Sequence, residues 1–327
     1  MSDLATTTAA ADLDRDIHRY RRELTGYCYR MLGGASEAED AVQLTLVRAW
    51  QHIDRFEGRS TLRSWLYRIA TNVCFDMLGA SQRRARPMDL TESRTATTPL
   101  APGLPDYVWI EPMPDSHTVA PVGDPADVAI ARETVRLAFV AALQYLPPRQ
   151  RAVLILREVL RWHADEVAQL LETSVASVNS ALQRARATLD HVGVAETDTY
   201  ADLDVGQREL VDRYVDAFER YDIDALIDLL YEDATMSMPP FDHWLRGKDD
   251  IAAWFVGPGA ECAGSRVVRT VANGSPAYAQ YRVDPAGGHH AWALGVLEIT
   301  DGKIIGINSF LDVERLFPLF DLPLRLD

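Results

Sequence analysis

Three stretches of this 327-residue chain hold the residue types and spacings that could do chemistry. The first, "GRSTLRSWLYRIATN", interleaves Arg59, Arg63 and Arg68 with Trp65 and Tyr67, and Phe75 follows. Arginine forks track phosphates while aromatic faces stack on unpaired bases, the combination that holds single-stranded nucleic acid. The second is "WHADEVAQLLETSVASVNSALQRARATLD", residues 162–190. One helix there puts Val167, Leu170 and Leu171 on an apolar face, a short turn follows at 172–174, and a second helix turns Val175, Val178 and Leu182 inward. That is helix-turn-helix spacing, in which the second helix enters the major groove. Ser177, Asn179, Ser180, Gln183, Arg184 and Arg186 are left facing out. Ser177 lies in a first turn that favours phosphate, and the amide forks of Asn179 and Gln183 suit adenine. The third, "MSMPPFDHWLRGKDDIAAWF", reads as one wall of a small pocket, with paired prolines, His243, Trp244 and Trp254. A plain helical hairpin and an amphipathic core helix with an Arg-rich face have the same spacings as the first two stretches, so the alternatives stay open.

The elements that position these residues follow from periodicity. Residues 13–82 read as three helices. The first carries Ile17, Tyr20, Leu24, Tyr27 and Met31 at three- and four-residue steps and stops at Gly33-Gly34. The second opens with Ser36 and Glu39 in capping-box spacing, with Ala38, Val42, Leu46, Ala49 and Ile53 as its stripe. The third starts at a Ser cap and ends at Gly79. Residues 83–128 are Pro-rich with a Ser/Thr-rich start, which predicts an extended linker with little structure of its own. Helical periodicity returns over 129–192. Over 200–327 a helix precedes alternating, strand-like runs, with Asp301-Gly302 as a hairpin turn, which gives an α+β domain. Residues 1–12 are expected to be disordered.

Composition limits the function classes. An apolar fraction of 47% and a charged fraction of 25% suit a globular protein. No apolar run reaches the length of a membrane span, and the start lacks the features of a signal peptide, so the cytoplasm is expected and a membrane partner is not. Cys28, Cys74 and Cys262 lie far apart, which argues against a disulfide framework or zinc cluster; neither metal nor cofactor is expected. The net charge of −15 is uneven: residues 1–192 hold 22 basic and 24 acidic side chains, residues 193–327 hold 11 and 24. The lysines, Lys248 and Lys303, both lie in the acidic part. Every cation before it is Arg, the better residue for bidentate phosphate and base contacts and also the one a GC-rich genome supplies.

"EDAVQLTLVRAW", "RSTLRSWLYRIATNV", "ALQYLPPRQRAVLILREV" and the helix-turn-helix, in that order, resemble regions two and four of bacterial sigma factors of the extracytoplasmic-function group. The linker and acidic tail resemble the subgroup of SigG and SigJ type, which carries a C-terminal SnoaL-like extension. The resemblance implies two all-α sigma domains, regions 2 (13–82) and 4 (129–192), the latter helix-turn-helix, followed by an α+β cone-shaped SnoaL/NTF2-like domain at 200–327. It implies core RNA polymerase as partner, through the β′ clamp helices and β flap, with Asp40, Gln43, Thr45, Arg48 and Trp50 on the docking surface. Arg59, Arg63, Trp65, Arg68 and Asn72 would contact the −10 element, Asn72 at the position that recognises an extruded base. The recognition helix would read the −35 element. Relatives often carry Arg where this chain has Asn179 and Ala181, so the resemblance does not fix the −35 sequence that this chain prefers. The linker would thread through polymerase toward the RNA exit path.

The tail resembles the cone fold also used by ketosteroid isomerases, on "RYVDAFERYDIDALIDLLYEDATMSMP". That places Tyr214 at an oxyanion-hole position and Met238 where a general-base Asp would stand. A thioether cannot abstract a proton, so no catalytic residue is expected. Neighbouring His289 and His290 point to opposite faces of a strand. Tyr214, Met238, Trp244 and Trp254 remain as a candidate pocket for a small-molecule ligand. Besides a sigma factor modulated by its own tail, two readings compete: a one-component transcription factor sensing a small molecule, and a SnoaL-like isomerase or hydrolase with a DNA-binding appendage. The Arg-aromatic helix favours the first, because a duplex-only activator has no unpaired bases to stack.

Overall fold

The computed structural model describes residues 19–53, 56, 60–79, 83–118, 125–192 and 205–327. The expected disorder of residues 1–12, and Arg59, lie outside them. The chain forms two compact units.

The first unit is helical. Helix α1 (19–32) stops at Gly33, whose φ of +77° suits glycine and whose N–H donates to the Tyr29 carbonyl at 2.8 Å. Helix α2 (Ala35–Gln51) takes Gly34 as its N-cap. The expected Ser36–Glu39 capping box is not what starts it. Ser36 falls inside the first turn, and Glu39 accepts from Arg21 at 2.8 Å and lies 3.1 Å from His117. Helix α3 (Leu62–Gly79) is capped by Thr61 rather than Ser60: its hydroxyl accepts the Ser64 N–H at 3.1 Å. Tyr27 and Tyr67 meet edge-to-face across α1 and α3 at 5.0 Å, and Tyr27 hydrogen-bonds Thr71 at 2.8 Å. Cys28 and Cys74 are free and buried in the same core.

Helices α4 (Pro125–Glu133), α5 (Leu137–Leu143) and α6 (Pro148–Leu154) follow, and α6 runs into a π-helical turn at Ile155–Val159. The helix-turn-helix is α7 (Ala164–Leu170) and α8 (Val175–Val192). Two buried arginines join the early helices to the later ones. Arg30 donates to the carbonyls of Gly26 (2.8 Å), Ala131 (3.0 Å) and Thr134 (3.1 Å). Arg151 donates to the carbonyls of Met31, Gln144 and Leu146 and to the Gln144 side chain. Burial lowers the pKa of both to about 10, still far above neutrality, so each is a cation solvated by backbone oxygens.

The second unit is α+β. Helices α9 (Val205–Arg220), α10 (Ile223–Asp228) and α11 (Lys248–Val256) accompany strands β1 (Leu230–Ser237), β2 (Trp244–Arg246), β3 (Arg266–Ala272), β4 (Ser275–Val283), β5 (His289–Thr300), β6 (Lys303–Phe310) and β7 (Arg325–Leu326), with α12 at Val313–Leu319. The strands form one sheet of order β2-β1-β6-β5-β4-β3, with β7 on β5; β1 and β6 run parallel. Asp301-Gly302 makes the expected hairpin turn, with φ of +50° and +69°. A second hairpin turn, Asn273-Gly274, separates β3 from β4.

The helices cover one sheet face, where Leu210, Tyr214, Phe218, Met236, Trp254, Tyr278 and Ile307 form the core. Ser237, Asn308 and Val296 sit opposite one another across β1, β6 and β5 on the other face. That face is covered by what was expected to be a loose linker. Residues 84–115 belong to this unit, with Ala96, Trp109, Ile110 and Met113 all buried. Ala96 packs with the core on the helix side, and the segment holds short 3-10 turns at Pro87–Asp89 and Asp106–Val108. Residues 116–118 and 125–135 belong to the first unit.

Candidate functional site

The turn before α8 bends at Glu172, φ +50°, and Ser174 caps the helix by accepting the Ser177 N–H at 3.1 Å. Val178, Ala181, Leu182 and Ala185 are buried, so the helix has one apolar stripe and one open face. Ser177, Asn179, Ser180, Gln183, Arg184 and Arg186 all lie on the exposed side, as their spacing suggested. Val175 does not turn inward as expected: it is 42% exposed, because the first turn of α8 projects beyond the core. Arg186 pairs with Glu158 at 2.6 Å across solvent, an interaction worth about 0.5 kcal/mol that a phosphate can replace. The open face offers donors and amide forks on a preformed helix, the geometry for reading duplex DNA.

Helix α3 is presented differently. Arg63 donates to Glu23 at 2.6 Å and lies 5.1 Å from the centroid of Trp162, just past the π-helical turn. Burial works against the Arg63 charge, but Glu23 outweighs it and raises the pKa. The Trp162 ring is buried and packs on Tyr67 at 5.0 Å. Arg68 pairs with Glu172, the residue that bends the helix-turn-helix. Trp65 is half-buried against Phe56 at 5.2 Å, and Asn72 is exposed. Among the described residues the −10 candidates Arg63, Trp65, Arg68 and Asn72 share one helix, but Arg63 and Arg68 already hold protein partners.

On α2, Asp40, Gln43 and Trp50 face out, Trp50 with 70% of its surface exposed, and Arg48 pairs with Asp76 at 3.2 Å. Thr45 corrects the expected docking surface. It is fully buried on the stripe of Ala38, Ala41, Val42 and Ala49, and its hydroxyl donates to the Ala41 carbonyl at 2.7 Å. Leu44 and Val47, exposed at 45% and 46%, complete the outward face instead. Their spacing from Asp40 and Trp50 was the available signal: a second apolar stripe opposite the first.

In the second unit, Tyr214 and Trp254 are core residues, Trp244 is buried with its indole N–H on the Thr91 carbonyl at 2.9 Å, and Met238 is partly buried against the same core. Tyr214 shares a 2.9 Å hydrogen bond with Tyr278, whose pKa burial pushes up to about 12; burial raises that of Tyr214 as well. Tyr278 lies so close over Gly295 that a Cβ there would run into its ring. Two small cavities of about 30 and 10 Å³ lie on the opposite sheet face. Residues 85–87, 106 and 109–112 help to wall them, together with Pro239 and Phe310. Among the described residues no group of three or more His, Cys, Asp or Glu is placed to hold a metal ion, and no helix is long and apolar enough to cross a membrane.

Residues 17–84 match the family Sigma-70 region 2, residues 136–189 match Sigma-70, region 4, and residues 211–307 match the SnoaL-like domain. The chain is 41% identical over 315 residues to the ECF RNA polymerase sigma factor SigG of Mycobacterium tuberculosis, spanning 95% of this chain and 84% of that one. It is 31% identical over 170 residues to ECF RNA polymerase sigma factor SigW of Bacillus subtilis, spanning 52% and 82%. The crystal structure of Mycobacterium tuberculosis SigJ shares the fold, with a TM-score of 0.60 at 22% identity over 95% of this chain and 99% of that one.

Proposed function

Because the chain belongs to the ECF RNA polymerase sigma factors, we propose that it binds core RNA polymerase and directs promoter-specific transcription initiation. The observation that carries this reading is the exposed polar face of α8, set in chain order behind a helix that alternates Arg with aromatics. Helix α8 reads the −35 element through Asn179 and Gln183, with Ser177, Ser180, Arg184 and Arg186 on phosphates or neighbouring bases. Helix α3 and the stretch before it take the −10 element, with Asn72 on an extruded base. Helix α2 docks on polymerase through Asp40, Gln43, Leu44, Val47 and Trp50. Polymerase performs the chemistry, and the cytoplasm is the compartment this role requires.

The C-terminal unit modulates this activity by holding residues 84–115, the segment that would otherwise thread through polymerase. Arg315 clamps it, binding Asp106 at 2.7 Å and Glu111 at 2.9 Å, while buried Arg84 lies 3.8 Å from Glu111. Purified protein added to core polymerase is expected to give promoter-specific transcripts, and failure to bind core would overturn the reading. Arg315→Ala is expected to change transcript yield while leaving core binding intact; unchanged yield at every promoter would remove the modulatory role.

A further inference from the structure

Residues 91–96 form a strap across β2, and the strap is bonded to the residues on both sides of His243. The Thr91 hydroxyl donates to the Asp242 carbonyl at 2.9 Å, and the Trp244 indole donates to the Thr91 carbonyl at 2.9 Å. The Arg94 N–H donates to the Trp244 carbonyl at 2.8 Å, and Arg94 bridges Leu245 in parallel register. Ala96 anchors the end of the strap in the core. His243 itself is 3% exposed, its Nε2 is buried without a hydrogen-bond partner, and its ring lies 5.3 Å from that of Trp254 on α11. This is a titratable side chain in a site built for its neutral form.

We propose that His243 makes the docking of the 91–96 strap sensitive to protonation, so that acidification releases the strap from the edge of the sheet. The charged groups that face the imidazole are Arg94 from the strap and Asp242 from its own turn, while α11 contributes only the Trp254 ring. Burial holds the imidazole pKa below its ordinary value, Arg94 adds to the effect, and Asp242 opposes it. A proton on Nε2 finds no acceptor while the strap is docked. Lifting the strap admits water, and the released imidazole regains an ordinary pKa of about 6.5. The released state therefore binds the proton more tightly than the docked state. Docking is at full strength above that value and weakens as pH falls below it, by up to about tenfold per pH unit until the docked form also protonates. The modulatory reading of the C-terminal unit gives this release its consequence, the freeing of residues 84–115, but the release is measurable without it.

The test is hydrogen exchange of the full chain at pH 7.5 and 5.5, corrected for the intrinsic pH dependence of exchange. Peptides over 88–98 are compared with the β3–β4 hairpin, 266–283. Protection of 88–98 should fall, by up to about tenfold, at pH 5.5 while the hairpin holds. His243→Phe keeps a ring against Trp254 and cannot titrate, so it should keep the strap protected at both values. Arg94→Ala, an exposed change that does not threaten folding, removes a charge opposing the proton and should shrink the pH response. Equal protection at both pH values in the wild type would overturn the proposal. So would the same loss in His243→Phe, or an undiminished response in Arg94→Ala. Transcription with Arg315→Ala is scored separately, so failure of the proton-linked strap and failure of the modulatory reading are distinguishable.

Discussion

Helices α8 and α3 are both proposed to contact promoter DNA, yet they meet the solvent in different states. All six polar candidates on α8 are exposed, and Arg186 is tied only by a surface pair. On α3, Arg63 is held by Glu23 and the Trp162 ring, and Arg68 by Glu172. Trp162 and Glu172 both lie in the connections on either side of α7, in the same unit. A duplex reader can work from a finished face, because B-DNA presents its base edges without being opened. A helix that stacks unpaired bases must exchange protein partners for DNA, so its cations and aromatics are satisfied internally until then.

Three variants, one of them a double substitution, put this contrast at risk. Trp162→Ala should have the largest effect, a loss of roughly 3–5 kcal/mol in denaturant unfolding, because a buried ring leaves both Tyr67 and Arg63 without their packing partner. A loss under about 1 kcal/mol would mean that α3 is not held by this ring. Asn179→Ala with Gln183→Ala comes next. It should cost about 1–3 kcal/mol of discrimination between −35 sequences in binding assays, with stability unchanged, since both side chains are exposed. Glu172→Ala should have the smallest effect. Its pair with Arg68 is exposed and worth under about 1 kcal/mol, so affinity for single-stranded −10 DNA should rise only a few-fold, and mostly at low salt. A decrease in affinity would show that Glu172 does not compete with DNA for Arg68.

The helices, the helix-turn-helix and the α+β tail were legible because each repeats a period the backbone imposes: 3.6 residues for α8, and two with a turn for β5–Asp301-Gly302–β6. What escaped were contacts between residues far apart in the chain. Thr45 looks like a surface residue until Ala41 and Ala49 place it on the buried stripe of α2. Residues 84–115 look loose because their prolines and threonines have no period. Their order comes from single anchors, Ala96, Trp109, Ile110 and Met113, and from a clamp to Arg315 some two hundred residues away. The engagement of Arg63 and Arg68 was invisible for the same reason: their spacing announces a cationic face, and only the fold reveals what already occupies it. His243 reads from the sequence as part of a pocket wall, but spacing says nothing of the strap bonded on either side of it.

The most direct test of the central claim is transcription by core polymerase supplied with the full chain, on templates that differ only in their −35 element. Initiation should require this chain, prefer a subset of templates, and lose that preference about tenfold or more when Asn179 and Gln183 are both replaced by Ala. Absence of chain-dependent initiation, or equal output from every template, would contradict it.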